Sequence, residues 1–231
     1  MPRSNPTRLL VWTSLVAAVL LFVLLPFLFG EVAVAALARL HLNGGVAIVI
    51  VLAVFLGSLI DIPVKRIVHT EEVVAHPLAV FGLGEWWPGL RRVRRQTVIA
   101  VNVGGCLVPS GLAVYEAVHL VAAGPRAWTA LGAAVVVNTV VCYRLARPIP
   151  GVGIAMPGLV PAIVAALFAL VLAPEWAAPV AFVAGVAGPL IGADLLHLKD
   201  IARIATGVAS IGGAGTFDGI VLSGIVAAYL S

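Results

Sequence analysis

The sequence predicts an all-α fold, a polytopic bundle of about seven transmembrane helices that forms one integral membrane domain over residues 1–231. Hydrophobic residues make up 62% of the chain and charged residues only 10%, so too few polar side chains exist to cover a soluble domain. Apolar runs of about 20 residues, the length that crosses a bilayer, recur along the whole chain. The lipid bilayer is therefore the predicted partner of most of the surface.

Apolar runs define the predicted spans, and proline or charged residues separate them. The first run also fits a signal peptide, because small residues follow it, but its apolar core is longer than a usual signal core and favours a retained span. Asp61, Ile62 and Pro63 end the second span. The predicted spans are residues 9–30, 45–59, 97–122, 127–145, 157–173, 178–198 and a last helix to the C-terminus.

The distribution of basic residues predicts the orientation in the cell (inner) membrane. With a cytoplasmic N-terminus, twelve lysines and arginines fall in cytoplasmic segments and two, Arg39 and Arg126, fall outside. An odd number of spans then places the C-terminus outside. The cytoplasmic segments also account for the formal net charge of +4, so this charge does not indicate a nucleic-acid partner.

The longest polar segment, residues 61–96, is predicted to be a cytoplasmic loop. Tryptophans followed by arginines in the segment Trp86–Arg95 predict that this part lies on the lipid headgroups and attracts anionic lipid. The histidines and glutamates at residues 69–76 fit no established metal-ligand spacing. We therefore expect no metal and no cofactor.

Two aspartates, Asp194 and Asp218, interrupt the apolar runs on either side of one short cytoplasmic loop. A carboxylate at membrane depth costs roughly 3 kcal/mol on insertion scales, so such a residue is a functional candidate. Asp194 lies about one turn from the cytoplasmic end of the sixth span. Asp218 lies near the midplane if the last helix starts near Gly207. It lies level with Asp194 if residues 207–215 form a broken or re-entrant segment and the helix starts near Thr216.

If the two carboxylates meet, they share one proton, because two close negative charges repel each other. One carboxylate then takes a proton from water while the other donates its proton to a carbonyl oxygen. The pattern predicts an intramembrane aspartyl protease-like hydrolase with Asp194 and Asp218 as its catalytic residues on the cytoplasmic side. The expected substrate is a transmembrane protein or peptide.

Two further segments are expected to bind this substrate. At the start of the fifth span, open backbone groups suit an extended substrate strand. Before the last helix, glycines let that strand or a water molecule approach closely. The predicted substrate-binding residues are Pro157, Gly158, Leu159, Gly212, Gly213 and Gly215.

Two other interpretations of the aspartates stay open. A proton- or cation-coupled transporter of small solutes would use the same carboxylates, with carbonyl groups of the glycine-rich passage at a broken helix. Alternatively, each aspartate caps a helix or pairs with Lys199 or Arg203 and has no chemical role.

Four motifs together resemble a known family. They are A-V-N-V-G-G at residues 100–105, R-P-I-P-G-V-G-I-A-M-P-G-L-V-P at 147–161, I-G-A-D-L-L-H-L at 191–198 and S-I-G-G-A-G-T-F-D-G-I at 210–220. Through them most of the chain is similar to an uncharacterised family of bacterial and archaeal multi-pass membrane proteins, domain of unknown function 1614. This resemblance implies a membrane fold and no particular activity.

The two aspartates also resemble those of presenilin-type intramembrane aspartyl proteases. That family carries one aspartate near the cytoplasmic end of its sixth span and another in a Gly-x-Gly-Asp motif early in its seventh, which corresponds to Asp194 and Asp218 here. In this chain Thr216 and Phe217 separate the glycines from the second aspartate, and alanine precedes the first aspartate where a tyrosine is expected. That family also has a Pro-Ala-Leu motif after its aspartates, whereas the loosely similar Pro157-Gly158-Leu159 precedes both aspartates here. The resemblance implies acid–base roles for the two aspartates.

Overall fold

The computed structural model describes residues 13–15, 24, 27–40, 42–74, 90–149, 153–201 and 207–231, and for 69–74, 90–95 and 201 the backbone alone. Two π-helical segments, Val103–Leu107 and Gly188–Leu195, adjoin the α-helices. The α-helices are α1 (Phe27–Ala38), α2 (Gly44–Gly57), α3 (Val108–Ala122), α4 (Pro125–Leu145), α5 (Leu159–Leu172), α6 (Ala177–Ala187), α7 (Leu198–Ile201) and α8 (Gly219–Leu230).

Three helical stretches within the described residues are long and apolar enough to cross a membrane: Val103–Ala122, Pro125–Leu145 and Pro174–Asp200. The chain is therefore a membrane protein with a mainly helical architecture. The helices α1, α2, α5 and α8 are apolar but shorter. Seven spans remain a prediction.

The prediction that the fold is all-α is wrong, because the structure also contains strands, which lie at one end of a mainly helical bundle. Strand β1 (Asp61–Val74) pairs antiparallel with β2 (Leu90–Asn102), and β5 (Val208–Ile211) pairs parallel with β2. A separate two-stranded sheet joins β3 (Arg147–Ile149) to β4 (Gly153–Ala155). We refer to the end of the bundle that carries these strands as the sheet end.

The predicted third span also starts too early. Residues 97–102 were expected to be helical, but they form the end of β2, and the helical stretch begins at Val103. The sequence T-V-I-A-V-N is apolar enough for a span and rich enough in β-branched residues for a strand, so hydropathy does not distinguish the two. The predicted loop over residues 61–96 accordingly begins and ends in strands.

Two predictions concern residues that lie outside the described part of the chain. These residues include most of the predicted first span and the tryptophans of the predicted lipid-binding segment. The described part of the first helix corrects one boundary. Helix α1 continues past Gly30 to Ala38, because Ala33, Ala36 and Leu37 are buried in the core.

The core of the bundle lies where α6 meets α5 and α8. Gly185 on α6 faces α8, and a Cβ placed there would lie 2.7 Å from the Ser223 carbonyl oxygen. Gly224 on α8 faces Val186 in the same way. Small residues allow membrane helices to approach this closely, and the contact fixes the position of the first residues of α8.

Candidate functional site

A cavity of about 540 Å³ opens at the sheet end. It lies where the start of β1, the hairpin strand β4, the second π-helical segment, β5 and the start of α8 come together. The lining residues are Asp61, Gly153, Ile154, Asp194, Val208, Ala209, Ser210, Ile211, Gly212, Gly213, Ala214 and Asp218.

Asp194 reaches this cavity from the π-helical segment that continues α6. Pro189 lacks a backbone N–H and its ring crowds the preceding turn, so the regular helix widens from Gly188 onward. At Gly192 a Cβ would overlap the Thr139 carbonyl oxygen, so glycine lets this segment pack directly on α4. Asp194 accepts no hydrogen bond from the residues that the structure describes, and its carboxylate lines the cavity.

His197 holds the end of the same π-helical segment. The side chain is buried, and its Nδ1 atom lies 3.1 Å from the Gly192 carbonyl oxygen. Its ring packs against Tyr143 of α4 at 4.8 Å between ring centroids. These two contacts fix the backbone on both sides of Asp194, while His197 itself stays outside the cavity lining.

Asp218 enters the cavity from the opposite side, as the N-cap of α8. Its Oδ1 atom accepts a hydrogen bond of 2.9 Å from the Ile220 N–H, and its Oδ2 atom accepts one of 3.4 Å from the Ala214 N–H. The prediction left two helix starts open, and α8 begins at Gly219, next to the later of the two. The passage before it is a strand, a turn and one turn of 3₁₀-helix, not a continuous helix.

The glycines before Asp218 shape the turn that carries it. Gly212 adopts φ +73°, a conformation that strains other residues, and a Cβ there would lie 2.6 Å from the carbonyl carbon of Gly105. A Cβ at Gly105 would in turn overlap the Gly212 carbonyl oxygen. The first π-helical segment and the turn after β5 are therefore in direct backbone contact, and this contact positions the glycine-rich side of the cavity.

The sequence prediction missed a third carboxylate, that of Asp61. Its Oδ1 atom accepts hydrogen bonds from Asn102 Nδ2, at 3.1 Å, and from Ser210 Oγ. Asn102 also donates to the Ser58 carbonyl oxygen and accepts from the Gly105 N–H at 2.7 Å, so one buried amide joins α2, β1 and α3. Asp61 was interpreted only as the end of a span. Its position directly after an apolar run is the same signal that identified Asp194.

The predicted substrate-binding residues are only partly at this cavity. Gly212 and Gly213 line it, whereas Gly215 is buried beside Ser58 and is not part of the lining. The motif at residues 157–159 is also outside the lining. Gly158 lies beside Leu222 of α8, and the preceding hairpin contributes Gly153 and Ile154 to the cavity in its place.

The charge of the cavity is one-sided. Three carboxylates line it, and no lysine, arginine or histidine of the described chain does so. The described histidine, cysteine and acidic side chains include no group of three or more arranged to hold a metal ion. The arrangement is suited to exchange protons with a bound water or to bind a cationic group.

A second cavity, about 710 Å³ in volume, lies between α1 and α2. Its lining is apolar apart from Glu31. It contains no pair of groups able to act as acid and base, so it is the weaker candidate for chemistry.

Comparison with known proteins gives one match. The model of a family described as protein of unknown function (DUF1614) matches residues 55–230, a segment that contains all three cavity aspartates. No curated protein and no solved structure shows significant similarity to the chain. The likeness to presenilin-type proteases thus remains a resemblance between motifs, whereas the predicted family is confirmed. The chain belongs to the family of proteins of unknown function DUF1614.

Proposed function

We propose that this protein is an intramembrane aspartyl hydrolase that cleaves a peptide bond with Asp194 and Asp218. The observation that supports this is that both carboxylates line one cavity although they come from different helices. Their hydrogen bonding differs, which suits two different roles in acid–base catalysis.

Asp218 is the proposed general base. Two backbone N–H groups donate to its two carboxylate oxygens, and such bonds favour the ionised form. Asp194 is the proposed general acid. It accepts no hydrogen bond from the described chain, so in this proposal Asp194 carries the shared proton before the reaction.

The proposed reaction consumes one water molecule. Asp218 takes a proton from the water while the water oxygen attacks the peptide carbonyl carbon. Asp194 donates its own proton to the carbonyl oxygen. In the resulting tetrahedral diol, Asp218 returns a proton to the amide nitrogen and Asp194 takes one from a hydroxyl group. The C–N bond breaks, an acid and an amine leave, and the carboxylates again share one proton.

The edge of β5 is the proposed seat of the substrate. The sheet order within the described chain is β1-β2-β5, so β5 is an edge strand there, and all four of its residues line the cavity. An unpaired strand edge binds an extended segment through its backbone groups. A peptide bond held there lies in the same cavity as Asp194 and Asp218, and Gly212 and Gly213 leave room for water beside it.

A transporter is the second candidate, and one observation favours it. The helical stretch that carries Asp194 is interrupted by the π-helical segment, and α8 starts abruptly at Asp218. Broken helices whose ends face a cavity are typical of sites that bind a coupling ion or proton in secondary transporters. In this alternative both carboxylates bind the proton or cation and no covalent bond is cleaved.

The test is cleavage of a fluorescently labelled single-span peptide by purified protein in detergent or vesicles. We expect Asp194→Asn and Asp218→Asn each to lower the cleavage rate by about 10²- to 10⁴-fold, the usual contribution of a general acid or base. Asp200→Asn is the matched control, because Asp200 lies on α7 close in sequence to Asp194 but not in the cavity lining. It should leave the rate unchanged.

Two outcomes separate the candidates. Cleavage that persists in either cavity variant would end the hydrolase proposal, because neither carboxylate does the work of both. If the wild type cleaves no peptide but vesicles show a proton or cation flux that Asp218→Asn abolishes, the transporter is the correct interpretation.

A further inference from the structure

The cavity contains a carboxylate that the proposed hydrolysis does not use. Asp61 lies at the start of β1, opposite Asn102 in the register of the sheet, and two strands away from the open edge of β5. Its Oδ1 atom is held by Asn102 Nδ2 and Ser210 Oγ. No described residue donates a hydrogen bond to its Oδ2 atom, and no described lysine or arginine forms an ion pair with it.

We propose that Asp61 determines specificity by binding a basic side chain of the substrate segment that lies along β5. This inference rests on the hydrolase proposed above and names one feature of its substrate. Asp61 does not touch the reacting atoms in this proposal. It selects which segment is held at the edge of the sheet.

The geometry of the sheet favours a long side chain. Neighbouring strands lie about 4.8 Å apart, so a substrate strand beside β5, three spacings from β1, lies about 14 Å from the backbone of β1. The Asp61 carboxylate shortens this distance, because it reaches across the end of β2 to Ser210 in the middle of β5. A lysine or arginine carries its charge on a stem long enough to cross the remaining strand, and shorter polar side chains do not reach.

The hydrogen bonds around Asp61 fix its orientation for this role. Asn102 is fully buried and bonded to three groups, so it cannot move away without leaving buried polar groups unpaired. Ser210 ties the carboxylate to the strand on which the substrate would lie. One oxygen is thus held by the protein, and the other remains available in the cavity for a cationic partner.

The charge of the expected substrates agrees with this arrangement. Segments that flank membrane spans on the cytoplasmic side are rich in lysine and arginine. The predicted orientation places the sheet end on that side, so a basic residue is commonly present in the chain that enters the cavity. A carboxylate beside β5 therefore draws in the flank of a span and rejects an acidic flank by repulsion.

The experiment compares cleavage of peptides that differ at one residue. Lysine, glutamine or glutamate is placed in turn at each position of the segment expected opposite β5, and kcat/KM is measured for wild type, Asp61→Asn and Glu175→Gln. Asp61→Asn keeps a side-chain oxygen that can accept hydrogen bonds from Asn102 and Ser210, so the structure of the sheet end should be retained. Glu175→Gln is the control, because it neutralises a carboxylate that lies outside the cavity, on the 3₁₀-helix before α6.

We expect wild type and Glu175→Gln to prefer lysine over glutamine by about fivefold at one position, the upper range for a solvent-accessible ion pair. In Asp61→Asn the ratio of kcat/KM for the lysine peptide to kcat/KM for the glutamine peptide should fall below about twofold. The wild-type preference should also shrink at high salt, which screens the pair.

Each result has one meaning. Active wild type with no preference for lysine, or an Asp61→Asn variant that keeps the preference, overturns this inference and leaves the hydrolase intact. Wild type that cleaves none of the peptides overturns both.

Discussion

The contact between α6 and α8 and the cavity at the sheet end use glycine for opposite purposes. In the first, Gly185 and Gly224 remove side chains so that two regular helices touch along their length. In the second, Gly105 and Gly212 bring irregular backbone segments together, and space remains beside them. A helix satisfies its own backbone in a bilayer, whereas irregular backbone needs protein or water around it. The irregular backbone of the sheet end therefore needs protein or water, and not lipid, around it.

The two regions also differ in how their polar groups are satisfied. In the contact between α6 and α8, the Ser223 hydroxyl is buried and has no hydrogen-bond partner in the described chain. At the sheet end, Asn102, Asp61 and Ser210 form a connected network. At the same end Asp194 accepts no hydrogen bond from the described residues, and the acid role proposed for Asp194 rests on this contrast.

The largest expected effect comes from filling the helix contact. Gly185→Ala adds a Cβ 2.7 Å from the Ser223 carbonyl oxygen and 2.9 Å from Gly224 Cα, and the backbone of α8 has no room to yield. Overpacking of this kind costs about 3 kcal/mol at its upper range. We expect the midpoint of thermal unfolding in detergent to fall by about 6–12 °C.

Gly132→Ala is the matched control for this change. Gly132 lies in α4 with no atom within 4 Å of the added methyl group. Alanine favours a helix over glycine by up to about 1 kcal/mol, so this variant should be as stable as wild type or more so. Equal shifts in both variants would mean that the contact between α6 and α8 is not as close as described.

How much of this architecture the sequence predicts depends on the kind of signal. Asp194 and Asp218 stand out because charge is rare in long apolar runs, and that signal does not depend on knowing the fold. The strands at the sheet end carry no such signal. Residues 97–102 are mostly apolar and rich in β-branched side chains, and they form a strand because they pair with residues 61–67 and with Val208–Ile211, which are distant in sequence.

The substrate-binding prediction shows the same limit. Gly212 and Gly213 could be identified because they adjoin Asp218 in sequence. The contribution of Gly153 and Ile154 could not, because it depends on the short hairpin of β3 and β4 folding towards the cavity. The sequence points instead to the local motif Pro157, Gly158 and Leu159, of which Gly158 lies beside Leu222 of α8.

A smaller effect compares two serines across the two regions. Ser223→Ala in α8 removes a buried hydroxyl that has no partner in the described chain, so it should leave stability unchanged or raise it by up to about 1 kcal/mol. Ser210→Ala removes the hydroxyl that donates to Asp61 and should lower stability by about 1 kcal/mol. Denaturation of both variants under the same conditions checks the signs. A loss in Ser223→Ala would mean that this hydroxyl has a partner after all.

The smallest expected change in stability is at Asp218, and it separates structure from chemistry. Asp218 caps α8 through the Ile220 N–H, and this alone would explain an aspartate at the position. Asparagine keeps the bond from the Ile220 N–H, but its amide nitrogen cannot accept the 3.4 Å bond from the Ala214 N–H, so Asp218→Asn should lower the free energy of unfolding by about 0.5 kcal/mol. Asp218→Ala removes the cap and should cost about 1 kcal/mol or more. Hydrolysis requires the carboxylate, so peptide cleavage should be lost in both variants although Asp218→Asn stays close to wild-type stability. Cleavage that follows stability, present in Asp218→Asn and reduced in Asp218→Ala, would make Asp218 a cap and nothing more.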